Sequence, residues 1–115
     1  MMNILTVGKQ YKDAEGEWEV VGVYDNTING PYAIEEGKVE VECIQEGNIN
    51  YGKRFIVDEN EAIICYYGWD YICAMMDDEI REELHLEMAP CTELEFLEAY
   101  EKRHLEKYGE EFTIE

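Results

Sequence analysis

Apolar and polar positions alternate most cleanly over Lys38–Gln45. There Val39, Val41 and Cys43 fall on one face and Lys38, Glu40 and Glu42 on the other. Period-two alternation of this kind predicts a half-buried antiparallel strand. Upstream, Glu17–Asp25 is rich in β-branched and aromatic residues, and Asn26–Pro31 is dense in turn formers. Downstream, Gly47-Asn48 reads as a turn and Ile49–Val57 as the returning partner strand, interrupted by Gly52. Ile4–Val7 reads as a further edge strand.

The pattern changes at Asp58. Asp58-Glu59-Asn60-Glu61 has the form of a capping box, an acceptor followed three residues later by Glu. The apolar segment behind it, Ala62–Met76, is too continuous to assign by period. It predicts a helix broken or bent near Gly68, with a strand over Ala62–Tyr67 as the alternative. Asp77–Leu84 reads as a short acidic helix, and Pro90 ends that region. Thr92-Glu93-Leu94-Glu95 is a second capping box, opening a helix that runs to about Tyr108 and stops at Gly109. Leu94, Leu97, Tyr100, Leu105 and Tyr108 approximate one apolar stripe on it. Lys102, Arg103 and Lys107 fall late, where they complement the helix dipole. Glu110–Glu115 reads as a last extended segment. The expected architecture is a single α+β domain over 1–115, an antiparallel sheet over 1–57 and helices over 58–115 packed on one face.

Composition adds the charge. The 115 residues carry 28 acids against 9 bases, a net of −19. A surface that negative excludes a conventional nucleic-acid binder and argues against docking on an anionic membrane. Val, Ile, Leu and Phe total 27 residues, just above the roughly 20% below which a highly charged chain stays unfolded. Nine Tyr and two Trp add buriable surface, so the chain is expected to fold. No signal peptide or membrane-spanning run is read at the start. Cys43, Cys65, Cys73 and Cys91 are irregularly spaced with no C-x-x-C. Reduced thiols in a cytoplasm are therefore expected.

Candidate chemistry is thin. Asp25-x-Thr27-x-Asn29-Gly30-x5-Glu36 resembles a calcium loop, but position three is Thr and the flanking segment reads as a strand. His85-x-Glu87…Pro90-Cys91 has part of the zinc-deaminase pattern at the wrong spacing and without the second cysteine. Neither sets up a site, so no metal, no cofactor and no catalytic residue is expected. The aromatic run Tyr66, Tyr67, Trp69 and Tyr71 serves either as core or as an interface, since Tyr and Trp bring large area with a polar tip.

The acids themselves are the strongest signal. Residues 75–115 hold 14 acids and 4 bases, and residues 1–74 hold 14 and 5, so charge density nearly doubles toward the C-terminus. Asp77, Asp78, Glu79, Glu82, Glu83 and Glu87 crowd the segment before Pro90, with Glu93, Glu95 and Glu98 following. On a helix Glu79 and Glu83 stand roughly 6 Å apart and repel. Such a ridge either keeps the protein soluble or approximates the phosphates of a nucleic-acid strand. A groove lined with Lys and Arg distinguishes the two poorly by charge alone.

Small, acidic, Tyr-rich domains of this kind resemble the anti-CRISPR and anti-restriction inhibitors of phages and other mobile elements. The tail Phe96-Leu97-Glu98-Ala99-Tyr100…His104…Glu106-Lys107-Tyr108-Gly109-Glu110-Glu111-Phe112 is similar to tails of short mobile-element proteins. The resemblance implies a non-enzymatic cytoplasmic inhibitor of DNA-mimic type. Its partner would be a basic nucleic-acid-binding protein, a CRISPR effector nuclease first. The nine acids from Asp77 to Glu98 would form the contact, and Tyr66–Tyr71 a secondary one. Asp78, Glu79, Glu82 and Glu83 are expected to face solvent. An acidic adaptor without mimicry, and a small metal-binding protein or enzyme, stay open as alternatives. With −19 per chain, a monomer or weak dimer is expected.

Overall fold

The structure, a computed structural model, describes residues 5–28, 30–31 and 33–114. It is α+β, with an antiparallel sheet followed by helices. The described residues fall into two compact units, 5–66 and 67–114. Among them no helix is long and apolar enough to cross a membrane.

The first unit holds four strands, β1 (Gln10–Asp13), β2 (Gly16–Val23), β3 (Lys38–Cys43) and β4 (Arg54–Asp58), in the order β1-β2-β3-β4. Register puts Tyr11 beside Trp18, Trp18 beside Cys43, and Val20 beside Val41. These side chains are all buried, and Phe55 closes on Trp18 edge-to-face at 5.7 Å. The alternation over β3 therefore holds, with Val39, Val41 and Cys43 inward. The other face is a charge ladder. Arg54 meets Glu42 at 2.9 Å and Glu40 at 3.9 Å, and Lys38 meets Asp58 at 2.8 Å. A register shift at Val20/Gly22 bends β2. At Gly22 a Cβ would lie 2.5 Å from Ile34 Cδ1, so any larger residue there would have to move the end of that side chain. Asp13 closes the β1–β2 turn, its Oδ1 accepting from Glu15 N, Gly16 N and Trp18 Nε1.

Two strand expectations are corrected. Residues 5–7 are not a strand, Ile4 lying outside the described residues; the edge strand is Gln10–Asp13. Residues 49–52 are turn rather than strand. Tyr51 N donates to Asn48 O, Lys53 N to Asn50 O and Asn50 N to Asn48 Oδ1, so asparagine turns win over β-propensity until Gly52 N reaches Cys43 O at 2.9 Å.

Helix α1 (Glu59–Tyr67) follows β4 directly and buries Glu59, Ala62 and Ile63. Gly68, at φ 88°, separates it from α2 (Trp69–Met75). The broken helix is thus the form taken by Ala62–Met76, and the strand alternative falls. The second unit continues with α3 (Asp78–Met88) and α4 (Glu93–Tyr108). Asp77 caps α3 by accepting from Ile80 N at 3.1 Å, and α3 runs four residues past the expected Leu84. The Thr92 capping box is present, with Glu95 N donating to Thr92 Oγ1 at 3.1 Å. Gly109, left-handed at φ 72°, ends α4. The buried side of α4 is Phe96, Leu97 and Tyr100, while Leu105 and Tyr108 are each 46% exposed, so the expected stripe holds only in its first half. In the second half Tyr108 donates its hydroxyl to Asp77. Residues 110–114 form no helix or strand, yet bury Phe112 and Ile114, Phe112 standing edge-on to Tyr100 at 4.7 Å.

Candidate partner-binding surface

Burial decides how α3 presents its acids. Ile80 and Leu84, one turn apart, are buried, which leaves Asp78, Glu79, Glu82, Glu83 and Glu87 exposed. The expectation that Asp78, Glu79, Glu82 and Glu83 face solvent therefore holds. Few of these acids are free, however. Arg103 of α4 reaches two of them, Glu83 at 3.2 Å and Glu87 at 2.7 Å, which stand one turn apart. Lys107 meets Glu79 at 3.1 Å and Asp77 at 3.8 Å, and Arg81 meets Asp78 at 2.7 Å. Three cations thus engage five carboxylates. Glu82 has no ion pair among the described residues.

Asp77 is a structural joint. Besides capping α3, its Oδ2 accepts from Tyr108 Oη at 2.5 Å, and its N–H donates to the buried Tyr100 Oη at 2.7 Å. The Tyr108 hydroxyl, the Ile80 N–H and Lys107 together hold the Asp77 carboxyl below the usual carboxylate range. The same bond pushes the Tyr108 hydroxyl up. Arg81 carries a second tie, its Nη1 donating to Cys73 O at 2.8 Å.

On α4, Glu93 and Glu98 are exposed, and Glu95 is spent on the capping box. Of the nine acids expected to bind a partner, Glu82, Glu93 and Glu98 are therefore exposed without an ion pair or cap. Sequence reasoning missed two things here. The first is the clamping role of Arg81, Arg103 and Lys107. The pairs Glu79–Lys107 and Glu83–Arg103 run antiparallel but centre on position 93, so folding the sequence at Pro90 does not find them. The second is Leu86, which stands 89% exposed one turn beyond Glu82.

The aromatic run is divided between the two units. Tyr66 belongs to the sheet unit, where Lys9 Nζ lies 5.7 Å from its ring centroid. In the helical unit Tyr67 stacks on Tyr71 at 5.7 Å, and Trp69 meets Phe96 edge-to-face at 5.8 Å. Trp69, His85, Pro90, Cys91, Glu93 and Phe96 line a shallow cleft of about 210 Å³. His85 rests on the Phe96 ring at 4.7 Å while Glu87 is held by Arg103, so the partial deaminase pattern does not converge. In the calcium-like loop Asp25 Oδ1 accepts from Thr27 N and Oγ1, and the flanking elements are β2 and β3; Asn29 lies outside the described residues. Among the described residues, no cluster of His, Cys, Asp and Glu is placed to hold a metal ion.

Residues 65–112 match a family model described as anti-CRISPR protein AcrIC5. The match covers 48 residues, all but two of them in the helical unit, and it includes the tail from Phe96 to Phe112. This segment of the chain is similar to anti-CRISPR inhibitors. No curated protein and no solved structure matches the chain.

Proposed function

We propose that the protein is a non-enzymatic anti-CRISPR inhibitor. Its helical unit would occupy a basic, nucleic-acid-binding groove of a CRISPR effector nuclease in the host cytoplasm. One observation carries the reading: the family match falls on the segment that also holds the densest acids. Exposed Glu82, Glu93 and Glu98 supply unclaimed charge, and exposed Leu86, one turn from Glu82 on α3, supplies an apolar contact. A groove evolved for phosphates attracts that surface from a distance, and a seated inhibitor excludes the strand.

The test is a mobility-shift assay of target DNA on purified CRISPR effector complexes. The protein should displace DNA, and added salt should weaken its binding. Replacing Glu82, Glu93 and Glu98 together with Lys should abolish the displacement. Blocked cleavage with DNA still bound would end groove occupancy while keeping the inhibitor. The ion-paired state of α3 favours a second reading, an acidic adaptor whose carboxylates mainly lace its own helices. That reading expects partner binding that does not compete with nucleic acid.

A further inference from the structure

Inhibition through residues 65–112 leaves the sheet unit without a role, and its last strand is built to pair. β4 ends the order β1-β2-β3-β4. Cys43 N–H donates to Lys53 O at 3.0 Å, and Glu59 N–H to Gly37 O at 2.9 Å. The odd-numbered positions thus turn their backbone groups toward β3. By strand alternation Arg54, Ile56 and Asp58 turn theirs outward. Phe55 and Ile56 are 41% and 55% exposed, and residues 47–57 contain no acid but include Lys53 and Arg54. An open edge with exposed apolar side chains is a template for another strand.

The charge order names that strand. Around Ile56 the sequence reads Lys53-Arg54-Phe55-Ile56-Val57-Asp58-Glu59, basic on one side and acidic on the other. We propose that β4 pairs antiparallel with β4 of a second copy, on a two-fold axis at Ile56. Arg54 then faces Asp58 of the second copy, Phe55 faces its Val57, and Ile56 faces Ile56. Arg54 and Asp58 lie on the charge-ladder face, so the new pairs extend the row already formed by Glu42, Arg54, Lys38 and Asp58. The outward groups of Arg54 and Ile56 and the outward N–H of Asp58 would form about four backbone hydrogen bonds, the Asp58 C=O being taken by the first turn of α1. Net charge of −19 on each copy opposes the approach. The dimer is therefore weak, and salt strengthens it by screening.

Sedimentation velocity of the full chain tests this, over about 5 to 500 μM at about 0.05 and 0.5 M salt. A monomer of 13.5 kDa should give way to a dimer as concentration rises, and association should tighten about threefold or more at the higher salt. Ile56→Lys sets two ammonium groups opposite each other and should weaken association about tenfold. Arg54→Asp alone and Asp58→Arg alone each oppose like charges, so each should weaken it too. Their equimolar mixture sets acid opposite base at both ends and should restore association. Loss of an internal ion pair alone predicts no such rescue. A single 13.5 kDa species throughout, or no rescue on mixing, overturns the proposal. So does an Ile56→Lys variant that still dimerises but loses affinity for a CRISPR effector, since the edge would then belong to another protein's strand.

Discussion

In the sheet unit the cations meet carboxylates according to register. Lys12 pairs with Glu17, Lys38 with Asp58, and Arg54 with Glu42, each across neighbouring strands. In the helical unit two cations near the end of α4 each serve two acids of the α3 segment. The first arrangement is one to one at Lys12 and Lys38, and only Arg54, which also meets Glu40 at 3.9 Å, is shared. The second holds two helix surfaces together while leaving each shared site one charge short. An acidic protein can thus use the same pair chemistry to balance a sheet or to keep a helical ridge negative.

The largest expected effect breaks this comparison at its functional end. Glu82, Glu93 and Glu98 changed together to Lys should cut inhibition about a hundredfold, read by DNA displacement from an effector complex. The same reversal at Glu35, Glu36 and Glu46, exposed in the sheet unit, should change it less than about threefold. Equal losses from both would mean that total charge, not the helical surface, does the binding. Next in size, Leu97→Ala empties a fully buried position of α4 and should lower stability by about 2–5 kcal/mol. If the chain behaves as the single domain its length suggests, Trp18 fluorescence, read in a Trp69→Phe background, and the helical circular dichroism should fall at one lowered midpoint.

A smaller effect separates the two modes of pairing. Arg103→Gln leaves Glu83 and Glu87 facing each other, whereas Lys38→Gln leaves one carboxylate alone. The Arg103 variant should melt lower than the Lys38 variant, and about 0.5 M salt should narrow the gap. The smallest concerns Asp77. Its folded pKa lies below its unfolded value of roughly 3.9, so its bonds stabilise above that value and are lost as pH falls through the folded pKa. Tyr108→Phe removes the first cause, so the Asp77 carboxyl should titrate higher, followed by carboxyl-carbon NMR.

Legibility followed locality. The alternation at Lys38–Cys43, the break at Gly68 and the Thr92–Glu95 box each need only neighbours in sequence, and each stands in the structure. Residues 49–52 misled because Ile49 and Tyr51 favour strands while Asn48 and Asn50 close turns, and the side-chain bonds of asparagine prevail. The acids of α3 were legible as residues and as exposed positions. Their engagement by α4 was not, because it depends on a partner 16 to 28 positions away across the hairpin. The Tyr108–Asp77 bond was hidden for the same reason, since it spans 31 positions.

The clamp at Arg103 and Lys107 has a consequence for how tightly charge can be converted into affinity. Carboxylates already neutralised by a tethered guanidinium or ammonium hold fewer mobile sodium ions, so fewer are liberated when a basic groove arrives. The slope of log affinity against log salt should then count the free carboxylates of the helical surface, and fall well short of the formal charge. In this sense α4 supplies the ridge of α3 with built-in counterions, and a groove that engages Glu83 or Glu87 must first displace Arg103.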